Sequence, residues 1–144
     1  MNELRSRAVK LLARREHSRL ELAHKLAAYG SQDEVDGVLA DLTESGLLSD
    51  ARFAEAYVRA SRGRFGLARL RQTLRQKGIA KELIDTQLAG AEAPDELACA
   101  RAVWLRKFAA RPVNDRERAR QARFLQGRGF SSEVIHKLFK EPGV

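Results

Sequence analysis

One short pattern occurs three times along the chain: a leucine, three further residues, a glycine, and then a new stretch of apolar residues at helical spacing. The copies occupy residues 26–30, 74–78 and 125–129, and their glycines lie 48 and 51 residues apart. Similarity at such an interval is typical of arrays of small supersecondary units, each of which depends on its neighbours for stability. The pattern therefore restricts the chain to a repeat architecture.

Apolar residues at helical spacing lie on both sides of each glycine. Those after the glycines are Val35, Val38, Leu39 and Leu42, then Leu83, Ile84 and Leu88, then Val134, Ile135, Leu138 and Phe139. Alanine, leucine, arginine and glutamate dominate the chain, and only three prolines interrupt it, which favours helix. We therefore expect an all-α fold of three tandem three-helix (helix-turn-helix-like) repeats without strands, over residues 1–49, 50–93 and 94–144.

Glycine and short polar side chains predict where these helices end and begin. Glycine adopts at low cost the left-handed conformation that ends many helices, so we expect C-terminal caps at Gly30, Gly78 and Gly129. An aspartate or serine oxygen can accept from the unpaired amides of a first turn. On that ground the expected N-caps are Asp33 and either Ser131 or Ser132.

Basic residues exceed acidic ones by 27 to 19, which gives a formal charge of +8, and the excess is unevenly distributed. Residues 57–81 contain eight basic residues and no acidic one. On the helix expected there, Leu67, Leu70 and Leu74 form one stripe. A second stripe, about 90° around the helix, contains Arg64, Arg71 and Arg75. With no carboxylate nearby in sequence, we expect this stripe to be unneutralised and to suit phosphates or an acidic protein surface.

The third repeat shows the same bias. Residues 101–128 hold nine basic residues and two acidic ones, and Arg116, Arg120 and Arg123 share one helix face. Most aromatic residues match core positions, so we do not expect a platform on which bases stack. Phe65, in the basic turn 63–66, is the one aromatic expected to reach a partner. We interpret that turn as a connection between helices and not as a phosphate-binding loop.

Several kinds of chemistry have no support in the sequence. Cys99 is the single cysteine and is expected to be a small buried apolar residue in a reducing compartment. The three histidines lack metal-site spacing, and no nucleotide-binding or hydrolase motif is present. We therefore expect no catalytic residue, no metal, no cofactor and no enzyme activity. Neither a signal peptide nor a membrane-length apolar run is evident, so we expect a cytoplasmic protein without membrane contact.

Three longer strings resemble the RecX family, bacterial regulators of the RecA recombinase. The central one runs from Gly46 through Ser49-Asp50-Ala51-Arg52-Phe53-Ala54 to Val58 and continues through Gly66 to Lys77-Gly78-Ile79. Residues 11–26 are similar to the first motif of the family, and residues 123–131 to its third. Ser49 stands where the family commonly has aspartate or asparagine, and serine can cap that helix equally well. The resemblance covers nearly the whole chain, in order.

This resemblance implies three helical repeats in an elongated, curved array that binds RecA filaments on single-stranded DNA, directly or through the filament protein. It also implies modulation, most often inhibition, of the recombinase in DNA repair and recombination. A monomer is expected, since no large exposed apolar stripe is evident. Together with the charge distribution, the resemblance predicts that nine basic residues contact the filament or nucleic acid. They are Arg62, Arg64, Arg69, Arg71, Arg75, Lys77, Arg116, Arg120 and Arg123.

Two other classes of function stay open at this point. The first is a sequence-specific repressor built from helix-turn-helix units, although such a protein usually dimerises and reads bases with one recognition helix. The second is a helical-repeat adaptor that binds only protein. Protection of a discrete DNA site would favour the repressor, and salt-insensitive binding of the recombinase without DNA would favour the adaptor.

Overall fold

A computed structural model describes residues 2–89 and 93–141 of the chain, and within those residues it contains nine helices and no strand. The all-α prediction is therefore confirmed. In chain order the helices are α1 (Asn2–Arg14), α2 (Arg19–Leu26), α3 (Gln32–Glu44), α4 (Asp50–Ser61), α5 (Leu67–Gln76), α6 (Lys81–Leu88), α7 (Ala93–Lys107), α8 (Asp115–Gly127) and α9 (Ser132–Lys140). Among the described residues, no helix combines the length and apolar character that crossing a membrane requires.

The described residues form two compact units. The first unit contains residues 2–57 and 74–84, and the second contains residues 58–73, 85–89 and 93–141. The predicted repeat boundaries at 49/50 and 93/94 stay a prediction. The outer limits of the predicted repeats, Met1 and Val144, lie outside the described residues.

Helices α1, α2 and α3 enclose the core of the first unit. Leu22, Leu26 and Leu42 are completely buried there, and Leu4 and Ala8 of α1 pack onto the same cluster. Burying each leucine stabilises the fold by roughly 1.5–3 kcal/mol. The apolar spacing of α3 in the sequence is thus explained by a single buried face.

The core of the second unit is built around Trp104 of α7, which is almost completely buried. Its indole Nε1 donates a hydrogen bond to Gln121 Oε1 at 2.7 Å, and Gln121 Nε2 donates to the carbonyl oxygen of Ala110 at 3.1 Å. Both buried polar groups are thereby satisfied. Cys99 packs partly buried against this core, where burial raises the pKa of its thiol.

Serine occupies the N-cap position of more helices than was predicted from the sequence. The Ser131 hydroxyl accepts from Val134 N–H, which confirms that N-cap. The Asp33 prediction was wrong, because Ser31 caps α3 in a capping box with Glu34 and leaves Asp33 within the first turn. The Ser49 hydroxyl accepts from Arg52 N–H at 3.1 Å ahead of α4, so serine does take the capping position there.

Two of the three predicted glycine caps are confirmed. Gly78 and Gly129 have φ angles of +80° and +97°, in the left-handed region. Gly30 does not, so that prediction was wrong; after α2 the chain continues in a right-handed turn, in which Tyr29 N–H donates to Leu26 O at 2.9 Å. The left-handed glycine of the first repeat is Gly46, with φ +83°, after α3.

Candidate functional site

The expectation that the basic stripe has no carboxylate nearby was wrong for Arg71, and Lys77, which follows α5, also has a carboxylate partner. Arg71 Nη1 lies 2.7 Å from Asp85 Oδ1, and Lys77 Nζ lies 3.3 Å from Glu21 Oε2. The two acidic residues are 14 and 56 positions away along the chain. A count of charges within one sequence window cannot detect these carboxylates, because only folding brings them next to Arg71 and Lys77.

Arg62 also has a carboxylate partner, and this pair is buried. Glu96 of α7 is only 5% exposed; its Oε1 accepts from Arg62 Nη1 at 3.1 Å, and its Oε2 accepts from Leu67 N–H at 2.9 Å. Glu96 thus links Arg62, the first residue after α4, to the first backbone amide of α5. A role of Arg62 in binding a partner stays a prediction, and the structure gives it a structural role.

Glu21, the partner of Lys77, titrates far below its ordinary range. Burial opposes its ionisation, but hydrogen bonds and charge from Arg15 and Lys77 outweigh that effect and lower the Glu21 pKa from 4.5 to about 2. A carboxylate with a lower pKa in the folded chain stabilises the fold above the unfolded value and loses this contribution as pH falls through the folded value. We therefore expect about 3 kcal/mol of stability to disappear between roughly pH 4.5 and pH 2.

The Glu21→Gln variant tests this expectation. Urea unfolding of the variant and the parent chain at several pH values should show a large stability difference at pH 7 that shrinks steadily below about pH 4.5. The Glu16→Gln variant is a control, since Glu16 forms a more exposed ion pair with Arg52. A Glu21→Gln difference that stays constant down to pH 2 would contradict the assignment.

The remaining predicted contact residues are exposed. Arg64 and Arg69 belong to the α4–α5 turn and to α5, and Arg75 lies in the last turn of α5. On α8, Arg120 donates to Glu117 one turn earlier, which raises the pKa of Arg120 and lowers that of Glu117. Among the described residues, five of the nine predicted cations have no carboxylate partner: Arg64, Arg69, Arg75, Arg116 and Arg123.

A cavity in the second unit collects more basic residues than the sequence predicted. We call it the basic cavity; it has a volume of about 380 Å³ and is lined by Arg64, Phe65, Val103, Arg106, Lys107, Phe124 and Arg128. None of these lining residues is acidic. Arg64 and Phe65 were predicted from the sequence to contact a partner, whereas Arg106, Lys107 and Arg128 were not. Arg106 and Lys107 form a basic last turn of α7, and this pair of adjacent cations was the sequence signal that could have indicated them.

The aromatic rings of the basic cavity lie next to cations. The Arg69 guanidinium carbon is 4.0 Å from the centre of the Phe65 ring, and that of Arg128 is 5.6 Å from it. Arg128 and Lys107 lie 5.2 and 5.6 Å from the centre of the Phe124 ring. These distances suit cation–π attraction, which helps several like charges to remain close together.

Two glycines bring the walls of this cavity together. Gly66 N–H donates to Arg128 O at 2.7 Å, and Ala68 N–H donates to Gly129 O at 3.3 Å. A Cβ atom on Gly66 would lie 2.3 Å from Gly129 O, and one on Gly129 would lie 2.4 Å from Arg69 Cβ. The turn 63–66, a helix connection as predicted, can approach the α8–α9 turn this closely only because both positions are glycine.

Comparison with known proteins identifies the family. Three consecutive family models match the chain: the first three-helix domain of RecX over residues 5–42, the second over residues 49–88, and the third over residues 94–139. The chain belongs to the RecX family. The three-helix repeat organisation predicted from the glycine pattern agrees with these matches.

Curated relatives and solved structures support the same assignment. The chain is similar to Regulatory protein RecX of Leptothrix cholodnii, with 46% identity covering 95% of this chain and 87% of the relative, and to that of Halorhodospira halophila, with 50% identity covering 92% and 83%. A crystal structure of regulatory protein RecX matches with a TM-score of 0.84 at 26% identity, covering 97% of this chain and 73% of that one. The RecX structure from Lactobacillus salivarius, at 18% identity and a TM-score of 0.78, matches in fold over 96% of this chain and 94% of that one.

Proposed function

We propose that this chain binds filaments of the RecA recombinase on single-stranded DNA and lowers their activity. The single observation that supports this most is the basic cavity, where Arg64, Arg106, Lys107 and Arg128 converge without an acidic lining residue. Such a surface attracts polyanions, and the counterions released on contact favour binding. Membership of a family of regulatory proteins agrees with a binding function of this kind.

The nine predicted contact residues contribute unequally to this proposal. The five exposed arginines without a carboxylate partner among the described residues carry it best, since they are available to phosphates or to acidic side chains. Arg71, Lys77 and Arg120 would have to exchange an existing ion pair for a new contact, which reduces their net contribution. Contacts that span several filament protomers add through effective concentration, so individually modest contacts suffice.

DNA-dependent ATP hydrolysis by RecA on single-stranded DNA, titrated with this chain, tests the proposal. We expect suppression at amounts well below one chain per recombinase protomer, because one bound chain would affect several protomers. The matched comparison is between two variants that each remove two positive charges from the second unit. The Arg64→Gln/Lys107→Gln variant should suppress hydrolysis less than the parent chain, and Lys137→Gln/Lys140→Gln should suppress it equally.

Failure of the proposal would have a clear signature. Unchanged ATP hydrolysis with a folded chain in excess would contradict it, and a footprint on one discrete duplex sequence would favour a repressor instead. Salt-insensitive binding to RecA in the absence of DNA would favour a protein-only adaptor. An equal loss of suppression in both double variants would show that total charge matters and that the basic cavity does not.

A further inference from the structure

The rings of Phe65 and Phe124 have neighbours that decide what the basic cavity can recognise. An aromatic ring in a nucleic-acid site usually offers its face to a base. Here Arg69 lies 4.0 Å from the centre of the Phe65 ring, and Arg128 is within 5.6 Å of the centres of both rings. With cations in these positions, the rings are poor surfaces for a base.

A guanidinium that lies on a ring keeps its N–H edge available to an acceptor. Stacking therefore restricts the orientation of Arg69 and Arg128 without using up their hydrogen-bonding capacity. Main-chain carbonyls restrict two side chains in the same way: Arg69 donates to Gly127 O at 3.1 Å, and Arg106 donates to Gly63 O and to Ala102 O. Carbonyl oxygens orient these guanidinium groups but do not cancel their charge. Arg69, Arg106 and Arg128 are therefore oriented cations, and none of them has a carboxylate partner among the described residues.

We propose that the basic cavity is a phosphate-binding site for a single nucleic-acid strand, in which Phe65 and Phe124 hold cations and do not stack on bases. This inference rests on the proposed function and specifies how the strand would be contacted. Five cations, from Arg64, Arg69, Arg106, Lys107 and Arg128, surround one concave surface with no acidic lining residue. That density of positive charge matches consecutive phosphates better than the isolated carboxylates of a folded protein surface.

The dimensions and the apolar lining agree with this ligand. A volume of about 380 Å³ is in the range of small-ligand pockets and accommodates a sugar-phosphate unit. Val103 and Phe124 provide apolar surface among the cations, which suits the carbon face of a sugar. Because phosphate and sugar contacts carry no sequence information, the site is expected to bind strands of any sequence.

The test uses the full chain without recombinase and two fluorescent strands of equal length, one of oligothymidine and one in which every nucleotide is abasic. We expect the two strands to bind within about threefold of each other, because a stacked base would contribute roughly fivefold to 150-fold in affinity. The Phe65→Leu variant should have a lower affinity for both strands, reduced by the same factor, since the ring acts by orienting Arg69 and Arg128. A tenfold preference for oligothymidine, lost in Phe65→Leu, would overturn the proposal in favour of stacking.

Salt dependence locates the contact within the chain. The Arg64→Gln/Lys107→Gln variant should bind oligothymidine at least about tenfold more weakly, and its slope of log affinity against log salt should be smaller by about 1.4. The Lys137→Gln/Lys140→Gln variant should stay within about threefold of the parent chain. Equal losses in both variants, or binding of polyglutamate as tight as that of the strands, would overturn the site. The strand-binding experiment contains no RecA, so its result is independent of the ATP hydrolysis experiment. Suppression of ATP hydrolysis together with failed strand binding would refute this site and leave the proposed function in place.

Discussion

Replacement of Gly66 by alanine is expected to lower the free energy of unfolding by about 3 kcal/mol, at the upper end of what overpacking costs. The added Cβ would lie 2.3 Å from Gly129 O and 2.8 Å from Phe130 N, both of them backbone atoms. No side-chain rotation relieves that overlap, so the two turns must separate. Separation also breaks the hydrogen bond from Gly66 N–H to Arg128 O, and the loss of this bond accounts for about 1 kcal/mol of the expected total.

Urea unfolding followed by circular dichroism measures this loss, and Gly63→Ala is the matched control. Gly63 lies in the same turn, but a Cβ there would meet nothing within 4 Å, so we expect a change within about 0.5 kcal/mol. The Gly129→Ala variant should lose more stability than Gly66→Ala, because alanine at a φ of +97° adds backbone strain to the same overlap. The two substitutions together should cost less than the sum, because either one alone separates the turns. Equal stabilities for Gly66→Ala and Gly63→Ala would show that the close approach does not exist.

The close approach of these two turns also positions cations in the basic cavity. If the turns separate, we therefore expect nucleic-acid binding to weaken. Arg64 and Phe65 directly precede Gly66, and Arg128 directly precedes Gly129. Any separation at the glycines therefore moves Arg64 away from Arg128. A Gly66→Ala chain that still folds at low temperature is expected to bind single-stranded nucleic acid more weakly than Gly63→Ala under the same conditions.

The helical repeat could be predicted from the sequence because its signals are local. The apolar spacing of α3 and α9 matches their buried faces, and Gly78 and Gly129 adopt the left-handed conformation that a terminating glycine favours. Gly30 shows the limit of this reasoning. A glycine placed after a helix permits a left-handed turn without requiring it, and a right-handed turn from Leu26 leads directly to the Ser31 cap of α3.

The candidate site was only partly predictable, since it depends on contacts between residues distant in sequence. Arg64 and Arg69 lie in a basic window that a charge count detects, but Arg106 and Lys107 reach the cavity from the end of α7. The same limitation explains why the expectation of an unneutralised stripe was wrong at Arg71. Nothing local to Arg62 indicates that a carboxylate 34 residues later pairs with it.

Glu96→Ala is expected to destabilise the chain by about 4 kcal/mol, because it removes one partner of a buried ion pair. Glu96 is 5% exposed, and the Arg62 side chain is 20% exposed. The substitution leaves the charge of Arg62 without its carboxylate and the Leu67 amide without an acceptor at the start of α5. Arg62 would have little to compensate it, since its Nη2 is already buried without a hydrogen-bond partner among the described residues.

Three variants separate the ion pair from simple packing. Glu96→Gln keeps the shape and one acceptor for the Leu67 amide, so we expect a smaller loss, of about 2 kcal/mol. The double variant Arg62→Met/Glu96→Leu removes both charges together and should recover more than half of the loss seen in Glu96→Ala, because an apolar pair carries no desolvation penalty. The measurement is again urea unfolding at pH 7. A double variant no more stable than Glu96→Ala would mean that the buried charge of Arg62 is not the cause, and that the Leu67 amide alone depends on Glu96.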